Sequence, residues 1–481
     1  MVINNAPHLA DIKRMALLPL FLPWLLSSIV SYNPIASYFC AWLGSFWIFY
    51  YSIIKVMKPL SPCLPIQFQV MRPLVLIQTI FAGLMSVSAV FFFLDHLGYY
   101  FWFQTPQSEL RVNALTYQLA YCQRLYVFAH AALVLGMIIG LKPHNGAAYS
   151  WSADIQTIPT LGILVFTSYG ISLVPALSQF AVLLLPVARS LAAIMVLNGL
   201  RQGRPQMLLA GAGFLLFTLY QAAHSGFKEG IFVTLILLAF VLYPHYKRIV
   251  ISLSVPCLLL LFYLLPTWNN SIRAASWQDE VPVEQAAEQA YAQLIAEDDG
   301  MLKQNSWEFL TNRFSEIGMF SKYVAHVPEV RPYYGTEILQ NAMLALIPRA
   351  IWPGKPNTEA ASMLRVYEAR VISEHSDASA KTRTVVDGYL SAGFPGVLFT
   401  MLCYGLVCQS LCNLAERLFG GYELGCIIIF NGMFQQLWRG NNLEFIINNV
   451  VYGLILMLMT FFVLKHSGIL IPSEVKKHKH I

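Results

Sequence analysis

The sequence is a succession of long apolar stretches, interrupted once by a polar insert that runs from Trp268 to about Leu390. A helix of about 20 apolar residues crosses the roughly 30 Å hydrocarbon core of a bilayer. Charged residues make up 12% of the chain, against about a quarter in soluble domains. The chain is therefore predicted to be an all-α polytopic membrane protein. Water-soluble chemistry is expected in or beneath the insert.

Twelve apolar stretches are long enough to cross a bilayer. They cover residues 15–31, 34–54, 73–94, 119–140, 157–177, 180–200, 206–223, 228–244, 249–266, 390–413, 423–438 and 443–464. The predicted segments are a bundle of about nine spans (1–266), a mostly helical loop domain (267–389), three C-terminal spans (390–466) and a basic tail (467–481).

Basic residues are concentrated in alternate loops. These loops contain Lys55, Lys58, Arg72, Lys142, Arg201, Arg204, Lys247, Arg248 and Arg417. Short loops rich in Lys and Arg face the cytoplasm. The pattern predicts about twelve transmembrane helices with both termini in the cytoplasm and the insert on the extracytoplasmic side.

Several classes of protein are excluded by composition. Most of the eight cysteines lie in or beside apolar stretches, none lies in the insert, and their spacing predicts neither disulfides nor a zinc site. The net charge of +6 follows from the basic loops, so no nucleic-acid partner is predicted. Neither a cofactor nor a metal is predicted, since no nucleotide-binding motif or acidic ligand set is present. The N-terminal apolar run is interpreted as an uncleaved first span.

The insert contains two apolar patterns. Residues 283–295 keep helical spacing, with glutamates on the other face, and are predicted to pack on the protein. The apolar piece from Ile338 to Ile351 is too short to span a bilayer and contains Pro348. It is predicted to lie flat at the interface or to re-enter the membrane.

Five basic residues are candidates for binding an anion. Arg189 lies inside an apolar span, where an arginine costs about 2.5–3.5 kcal/mol and usually faces a cavity or a partner. Lys228 stands at a helix start in a glycine-containing hairpin, a geometry that suits phosphate. Arg349 and Lys355 are held among prolines, and Arg383 follows them in the insert. The alternatives for Arg189 are a structural ion pair or a hydrogen bond to a kink made by Pro186. They are ordinary turn chemistry for Lys228 and a solvated charged face for the insert residues.

Two further groups of residues could contact a substrate. His375 and Asp387 are candidate bases, although a lone carboxylate at a helix start is as often a cap. Amide-rich helix ends and aromatic rings bind sugars, and amides also hold helices together. The candidate glycan-binding residues are Trp352, Gln435, Trp438, Arg439 and Asn442.

Three segments together resemble the bacterial O-antigen and oligosaccharide repeat-unit polymerases, the Wzy family. The first is Gly335 followed by Ile347-Pro348-Arg349-x-x-Trp352-Pro353-x-Lys355-Pro356. The second is Asp387-Gly388-Tyr389-x-x-x-Gly393-x-x-Gly396, which enters a span. The third is the hairpin Ser225-Gly226-x-Lys228-x-Gly230. The number of spans and the single large late loop also fit this family.

The resemblance implies a GT-C-like membrane glycosyltransferase of the bacterial inner membrane. It would polymerise undecaprenyl-diphosphate-linked repeat units at the periplasmic face. Arg189, Lys228, Arg349, Lys355 and Arg383 would neutralise the leaving diphosphate, and His375 or Asp387 would activate the acceptor hydroxyl. Expected partners are the lipid-linked oligosaccharide, membrane lipids, a flippase and a chain-length regulator.

Two other functions fit parts of the sequence. An O-antigen ligase shares the topology and the lipid donor and differs in its acceptor, although His375 lies some fourteen residues earlier than a ligase histidine would. A transporter or flippase of lipid-linked oligosaccharide would suit Arg189 within a span, but no internal repeat is evident. A membrane cysteine transpeptidase is excluded, because it would need a cysteine in the insert.

Overall fold

The architecture was obtained as a computed structural model. It describes residues 9–58, 65–101, 103–104, 112–142, 147–151, 157–173, 178–224, 228–273, 285, 288–289, 291–292, 299–348, 351–352, 354–373 and 380–473. The first half carries helices α1 (Leu9–Ile29), α2 (Pro34–Met57), α3 (Pro73–His96), α4 (Ala114–Gly140), α5 (Thr157–Ser172), α6 (Ser178–Gln202), α7 (Pro205–His224) and α8 (Lys228–Arg273).

The second half carries the insert and the C-terminal helices. They are α9 (Asp299–Phe309), α10 (Ile317–His326), α11 (Glu337–Ala345), α12 (Thr358–Glu368), α13 (Thr384–Leu418), α14 (Tyr422–Met433), α15 (Gln435–Arg439) and α16 (Leu443–His466). A short 3₁₀ helix spans Ile66–Gln69. There are also two antiparallel pairs of short strands: β1 (Tyr99–Tyr100) with β2 (Phe103–Gln104), and β3 (Tyr149–Trp151) with β4 (Leu470–Pro472).

The described chain is mostly helical, as the sequence predicts, and eight of its helices are long and apolar enough to cross a membrane. These are α2, α3, α4, α6, α7, α8, α13 and α16. Three shorter apolar helices are Leu17–Ile29, Ile158–Ser172 and Tyr422–Met433. The predicted span at 423–438 is interrupted because Phe434, at φ −111° and ψ 35°, separates α14 from α15.

Helix α8 accounts for two of the predicted spans. Its 46 residues are continuous except at Tyr246, whose φ of −123° and ψ of 38° are not helical. The rings of Phe232 and Phe262 lie 6.0 Å apart, and Trp268 Nε1 donates to the carbonyl of Ala223 at 3.1 Å. Residues so far apart in sequence can meet only if the helix turns back. The two halves of α8 are therefore antiparallel.

Several basic loops meet at one end of the bundle, which we call the basic end. Arg72 forms an ion pair with Glu416, and the Met71 N–H donates to the Tyr422 hydroxyl at 3.1 Å. Strand β3 pairs with β4, which follows the last helix, α16. The loops that the charge pattern assigns to one side of the membrane are thus close together in space.

The insert lies at the opposite end, which we call the insert end. Trp307 of α9 donates from Nε1 to Asp95 at 2.6 Å, and Gln118 of α4 donates to the Ser321 carbonyl at 2.8 Å. Helices α9 and α10 are therefore held on the ends of α3 and α4. The predicted helix at 283–295 falls mostly outside the described residues.

Helices α4 and α13 form the central contact of the bundle. A Cβ on Gly136 would lie 2.1 Å from the Leu402 carbonyl oxygen, and one on Gly405 would lie 2.0 Å from that of Leu133. Both glycines are needed because the two backbones touch. Such close approach through small residues is typical of helices packed in a membrane. It gives the bundle a fixed axis between its two ends.

Helix α13 is broken near the insert end, and the insert fills the break. Ala392 and Gly393 are not helical, and Gly393 has a φ of 62°. The N–H groups of Tyr334 and Gly335 donate to the carbonyls of Leu390 and Ser391, both at 2.9 Å. Two of the segments that carry the sequence resemblance, around Gly335 and Gly393, therefore pair with each other.

The short apolar segment after Ile338 reaches down the side of the bundle. The hydroxyl of Tyr452 in α16 donates to the carbonyl of Leu346 at 2.8 Å. Tyr452 lies nine residues into α16, about 13 Å along its axis. The C-terminal end of α11 therefore lies beside the middle of α16, an arrangement that favours the re-entrant alternative.

Candidate functional site

Arg189 is a charged residue in the interior of α6. Pro186 precedes it by three residues, and the Ser190 hydroxyl donates to the Pro186 carbonyl at 2.9 Å. The Arg189 Nε is buried and has no hydrogen-bond partner among the described residues. The guanidinium is close enough to Arg439 and Glu229 to interact with their charges. This arginine therefore interacts with a charged region, and it forms no ion pair with any residue that the structure describes.

Glu229 and Arg439 tie the hairpin between α7 and α8 to the last helices. Arg439 Nε donates to Glu229 Oε1 at 2.6 Å, and Nη2 lies 2.5 Å from Oε2. Arg439 ends α15, which stops there because Gly440 adopts a left-handed conformation with a φ of 68°. The two-pronged pair fixes the orientation of the guanidinium.

Arg383 links the insert to the same place. It is the N-cap of α13, and its guanidinium donates to both oxygens of Glu316, with Nη2–Oε1 at 2.6 Å. Its Nη1 also donates to the Gly440 carbonyl at 3.2 Å. Burial disfavours the charge, but Glu316 outweighs it and raises the pKa of Arg383. Arg383 is therefore held charged. Its Nη1 contacts Gly440, which is the residue after Arg439.

Lys381 is another cation in this region. Like Arg189, it forms no ion pair within the described part of the chain. Its Nζ lies 4.2 Å from the centroid of the Phe445 ring. Burial lowers the pKa of Lys381, and the charges of Glu359 and Glu229 only partly oppose this. The ammonium also senses Arg439 and Arg383. A cation in such a position gains from any anion that enters.

These four residues define what we call the cationic site: Arg189, Lys381, Arg383 and Arg439. Three carboxylates interact with it, those of Glu229, Glu316 and Glu359. Four cations and three carboxylates leave a formal excess of one positive charge. Two of the cations, Arg189 and Lys381, have no carboxylate at ion-pair distance among the described residues. Groups so arranged attract anions, and guanidinium forks suit phosphate oxygens.

A buried charge cluster lies beside the cationic site. Arg365 of α12 donates from Nη1 to Glu444 Oε1 at 2.6 Å, and its Nη2 lies 3.3 Å from Asp387 Oδ1. The side chains of Asp387 and Glu444 have no exposed surface, and that of Arg365 is 2% exposed. Asp387 Oδ2 also accepts the backbone N–H of Leu443 at 2.8 Å. The cluster joins α12, α13 and α16, and its formal charge is −1.

Helix α15 and its neighbours carry the other candidate glycan residues. Trp438 is buried and donates from Nε1 to the Asn431 carbonyl at 3.0 Å. Gln435 is also buried, and the amide of Asn442 is fully buried with neither polar atom paired among the described residues. A cavity of about 20 Å³, enough for a water molecule, separates Trp438 and Arg383 from α3. The side chains of Trp438, Gln435 and Asn442 therefore lie inside the bundle.

The remaining predicted residues lie apart from the cationic site or outside the described part. Lys355 donates from Nζ to the carbonyls of Ala345 and Ile347, at 2.6 and 2.9 Å. It thereby caps the end of α11, where a cation is favourable. Trp352 is 38% exposed at the surface of the insert. Arg349, His375 and the Lys228 side chain lie outside the described residues.

The structure thus brings together Arg189, Arg383 and Arg439 from the predicted set. It adds Lys381, Glu229 and Glu316 to them and places Asp387 with Arg365 and Glu444. Lys381 could have been selected from the sequence, since it lies two residues before Arg383. Glu316 could not, because it is 67 residues away from its partner and only the fold brings them together.

No curated protein and no solved structure matches the chain. The family model described as "Domain of unknown function (DUF8712)" matches residues 22–472. That range covers nearly the whole chain, and the chain therefore belongs to this family.

Proposed function

We propose that the chain is a membrane-embedded glycosyltransferase that polymerises lipid-diphosphate-linked oligosaccharide repeat units. The observation that carries the proposal is the cationic site, in which basic side chains from three segments come together: Arg189 of α6, Lys381 and Arg383 at the end of the insert, and Arg439 of α15. Arg189 and Lys381 have no carboxylate partner among the described residues. A diphosphate is the group that would satisfy such cations. The sequence resemblance to the Wzy polymerases supports the same assignment.

The proposal includes a topology of twelve crossings. The eight long apolar helices, the three shorter ones and the bend of α8 at Tyr246 would together supply them. The basic end would face the cytoplasm, since loops rich in Lys and Arg remain there. The insert end would then face the periplasm of a bacterial inner membrane. The cationic site would lie close to the periplasmic surface of this inner membrane, at the depth of a lipid diphosphate.

The proposed reaction is a transfer between two lipid-linked glycans. An acceptor hydroxyl oxygen attacks the anomeric carbon of the donor, and the bond from that carbon to the diphosphate oxygen breaks. The diphosphate leaves on its lipid with the electron pair, and a base takes the hydroxyl proton. Preorganised cations stabilise the charge that develops on the leaving group. Arg189, Lys381, Arg383 and Arg439 would do this, with Lys228 and Arg349 as further candidates.

The base and the sugar contacts are also proposals. Asp387 is paired with Arg365 and has no exposed surface, so we assign it a positioning role, and His375 is our candidate base. Trp352 and Arg439 retain exposed surface, so we assign glycan contacts to them, and Arg439 would contact both the sugar and the diphosphate next to it. Trp438, Gln435 and Asn442 would support α15 from behind. A chain-length regulator and a flippase remain the expected protein partners.

The decisive experiment uses the purified full chain in detergent with one lipid-diphosphate-linked repeat unit, resolved on a gel. We expect a ladder of products from this substrate alone. Arg189→Gln should reduce the rate about 100-fold, as loss of one charge-stabilising group does in other active sites. The matched control is Arg201→Gln in the same helix, because Arg201 is exposed at the basic end. It should leave the ladder unchanged.

Other results would redirect the assignment. A single transfer that requires lipid A core as acceptor would identify a ligase. An unchanged ladder with Arg189→Gln would remove the cationic site from the reaction. The absence of any covalent product would favour transport of lipid-linked oligosaccharide, the candidate that a charged residue within a span also suits.

A further inference from the structure

A groove opens on the side of the bundle at the basic end, far from the cationic site. Three segments form it: the end of α2, the short 3₁₀ helix Ile66–Gln69 and the bend of α8. Its volume is about 790 Å³, within the roughly 300–1,000 Å³ of typical ligand clefts. The rings of Phe68 and His245, 5.4 Å apart, join the 3₁₀ helix to α8.

The chemistry of the groove changes with depth. Among the described residues that line it, Lys58 and Lys247 are charged and none carries a carboxylate. Ile54 lies one helical turn from Lys58, about 6 Å, and Val255 lies eight residues from Lys247, about 12 Å. The side chains away from the lysines are mostly apolar. The groove therefore has a cationic rim at the helix ends and apolar walls along the helices.

A cationic rim beside apolar walls matches the chemistry of a membrane lipid with an anionic headgroup. A phosphate would contact the two ammonium groups, and the acyl chains would follow the apolar walls. A zwitterionic headgroup fits less well, because its own cation would face two lysines whose charge no carboxylate offsets in the described part of the lining. Basic pockets between helices on the cytoplasmic side are a recognised location for anionic lipid headgroups.

We propose that this groove binds one anionic phospholipid, with its phosphate on Lys58 and Lys247 and its acyl chains against the walls formed by α2 and α8. The site is independent of the proposed transferase activity. The bound lipid would support the bend of α8 at Tyr246, because one lysine of the rim follows that bend directly.

The test is binding of phosphatidylglycerol to the delipidated full chain, counted by native mass spectrometry, with phosphatidylcholine and glycerol 3-phosphate as comparison probes. The double variant Lys58→Gln with Lys247→Gln should bind phosphatidylglycerol about 30-fold more weakly. The control pair Lys142→Gln with Arg204→Gln removes two exposed charges from the same end without touching the groove. It should bind as the unaltered chain does.

A second variant tests the apolar walls. Val255→Trp keeps both lysines and fills the groove, so it should also weaken phosphatidylglycerol binding. The proposal is overturned if the lysine variant binds no more weakly than the control pair, or if phosphatidylcholine binds equally well. It is also overturned if glycerol 3-phosphate binds as tightly as the lipid, since that would indicate an ion site without a place for acyl chains.

Discussion

The two ends of the bundle differ in how their buried charged side chains are paired. At the basic end, Arg72 donates to both oxygens of Glu416, at 2.8 and 3.1 Å, and to Gln69 at 2.7 Å. One cation meets one carboxylate, and both side chains are nearly covered. At the insert end the charges do not balance locally. Arg365 serves two carboxylates, while Arg189 and Lys381 have none at ion-pair distance among the described residues.

The difference in pairing suggests different roles for the buried charges at the two ends. A buried ion pair with all of its hydrogen bonds made can hold helices together, although it adds little net stability over an apolar pair. A buried cation without a carboxylate costs free energy in the empty protein, and a bound anion removes that cost. The matched pair at the basic end therefore belongs to the scaffold. Under the proposed function, the unmatched cations at the insert end are the groups that a bound diphosphate would neutralise.

The largest expected effect comes from breaking the cluster of Arg365. Arg365→Ala would leave Asp387 and Glu444 buried and without a cation, at a cost of about 3–5 kcal/mol in the free energy of unfolding. Thermal unfolding in detergent, followed by fluorescence-detected size exclusion, measures the loss. Arg331→Ala is the matched control, because Arg331 pairs with Glu337 and Glu368 at the partly exposed surface of the same insert, where such pairs contribute about 0–1 kcal/mol each. Equal losses for the two variants would contradict a buried cluster.

At the basic end, we expect a smaller loss in the free energy of unfolding when Arg72 and Glu416 are both replaced. Arg72→Met alone or Glu416→Leu alone leaves one buried charge, and each should cost about 3 kcal/mol or more. The double variant should recover most of that loss, since a matched pair can be exchanged for apolar residues at little cost. The same unfolding measurement, arranged as a double-mutant cycle, tests this. A double variant as unstable as the sum of the single ones would show that Arg72 and Glu416 act separately.

The sequence predicted the membrane class and most helix positions, because hydrophobic length is a local property. It also singled out Arg189 as a candidate for binding an anion, because an arginine in an apolar run is visible locally. Arg383 was a further anion-binding candidate and Arg439 a glycan-binding one, and all three roles stay predictions. Pairing is not local. Arg365 meets Asp387 and Glu444 at separations of 22 and 79 residues, which only the fold determines. The break at Phe434 likewise has no proline or glycine at that residue to announce it.

The smallest effect expected concerns the pH dependence of Lys381. Because burial lowers its pKa, its ammonium loses the proton at a lower pH than an exposed lysine, whose ordinary pKa is about 10.4. Affinity of the purified chain for pyrophosphate should fall about fivefold as the pH rises through that lowered pKa, while the arginines stay charged. Lys381→Arg should keep its affinity over the same range. Calorimetric titrations from about pH 7 to about pH 10 compare the two proteins.

Folding stability should move in the opposite direction over that range. Between the lowered pKa of folded Lys381 and its ordinary pKa, the unfolded chain binds more protons than the folded one, so the free energy of unfolding contributed by this residue rises with pH. A lysine that only packs against Phe445 would show the rise in stability and no fall in pyrophosphate affinity. Both trends together, and neither in Lys381→Arg, would place Lys381 with the unmatched cations of the insert end. An affinity that stays constant with pH would show that Lys381 takes no part in binding the anion.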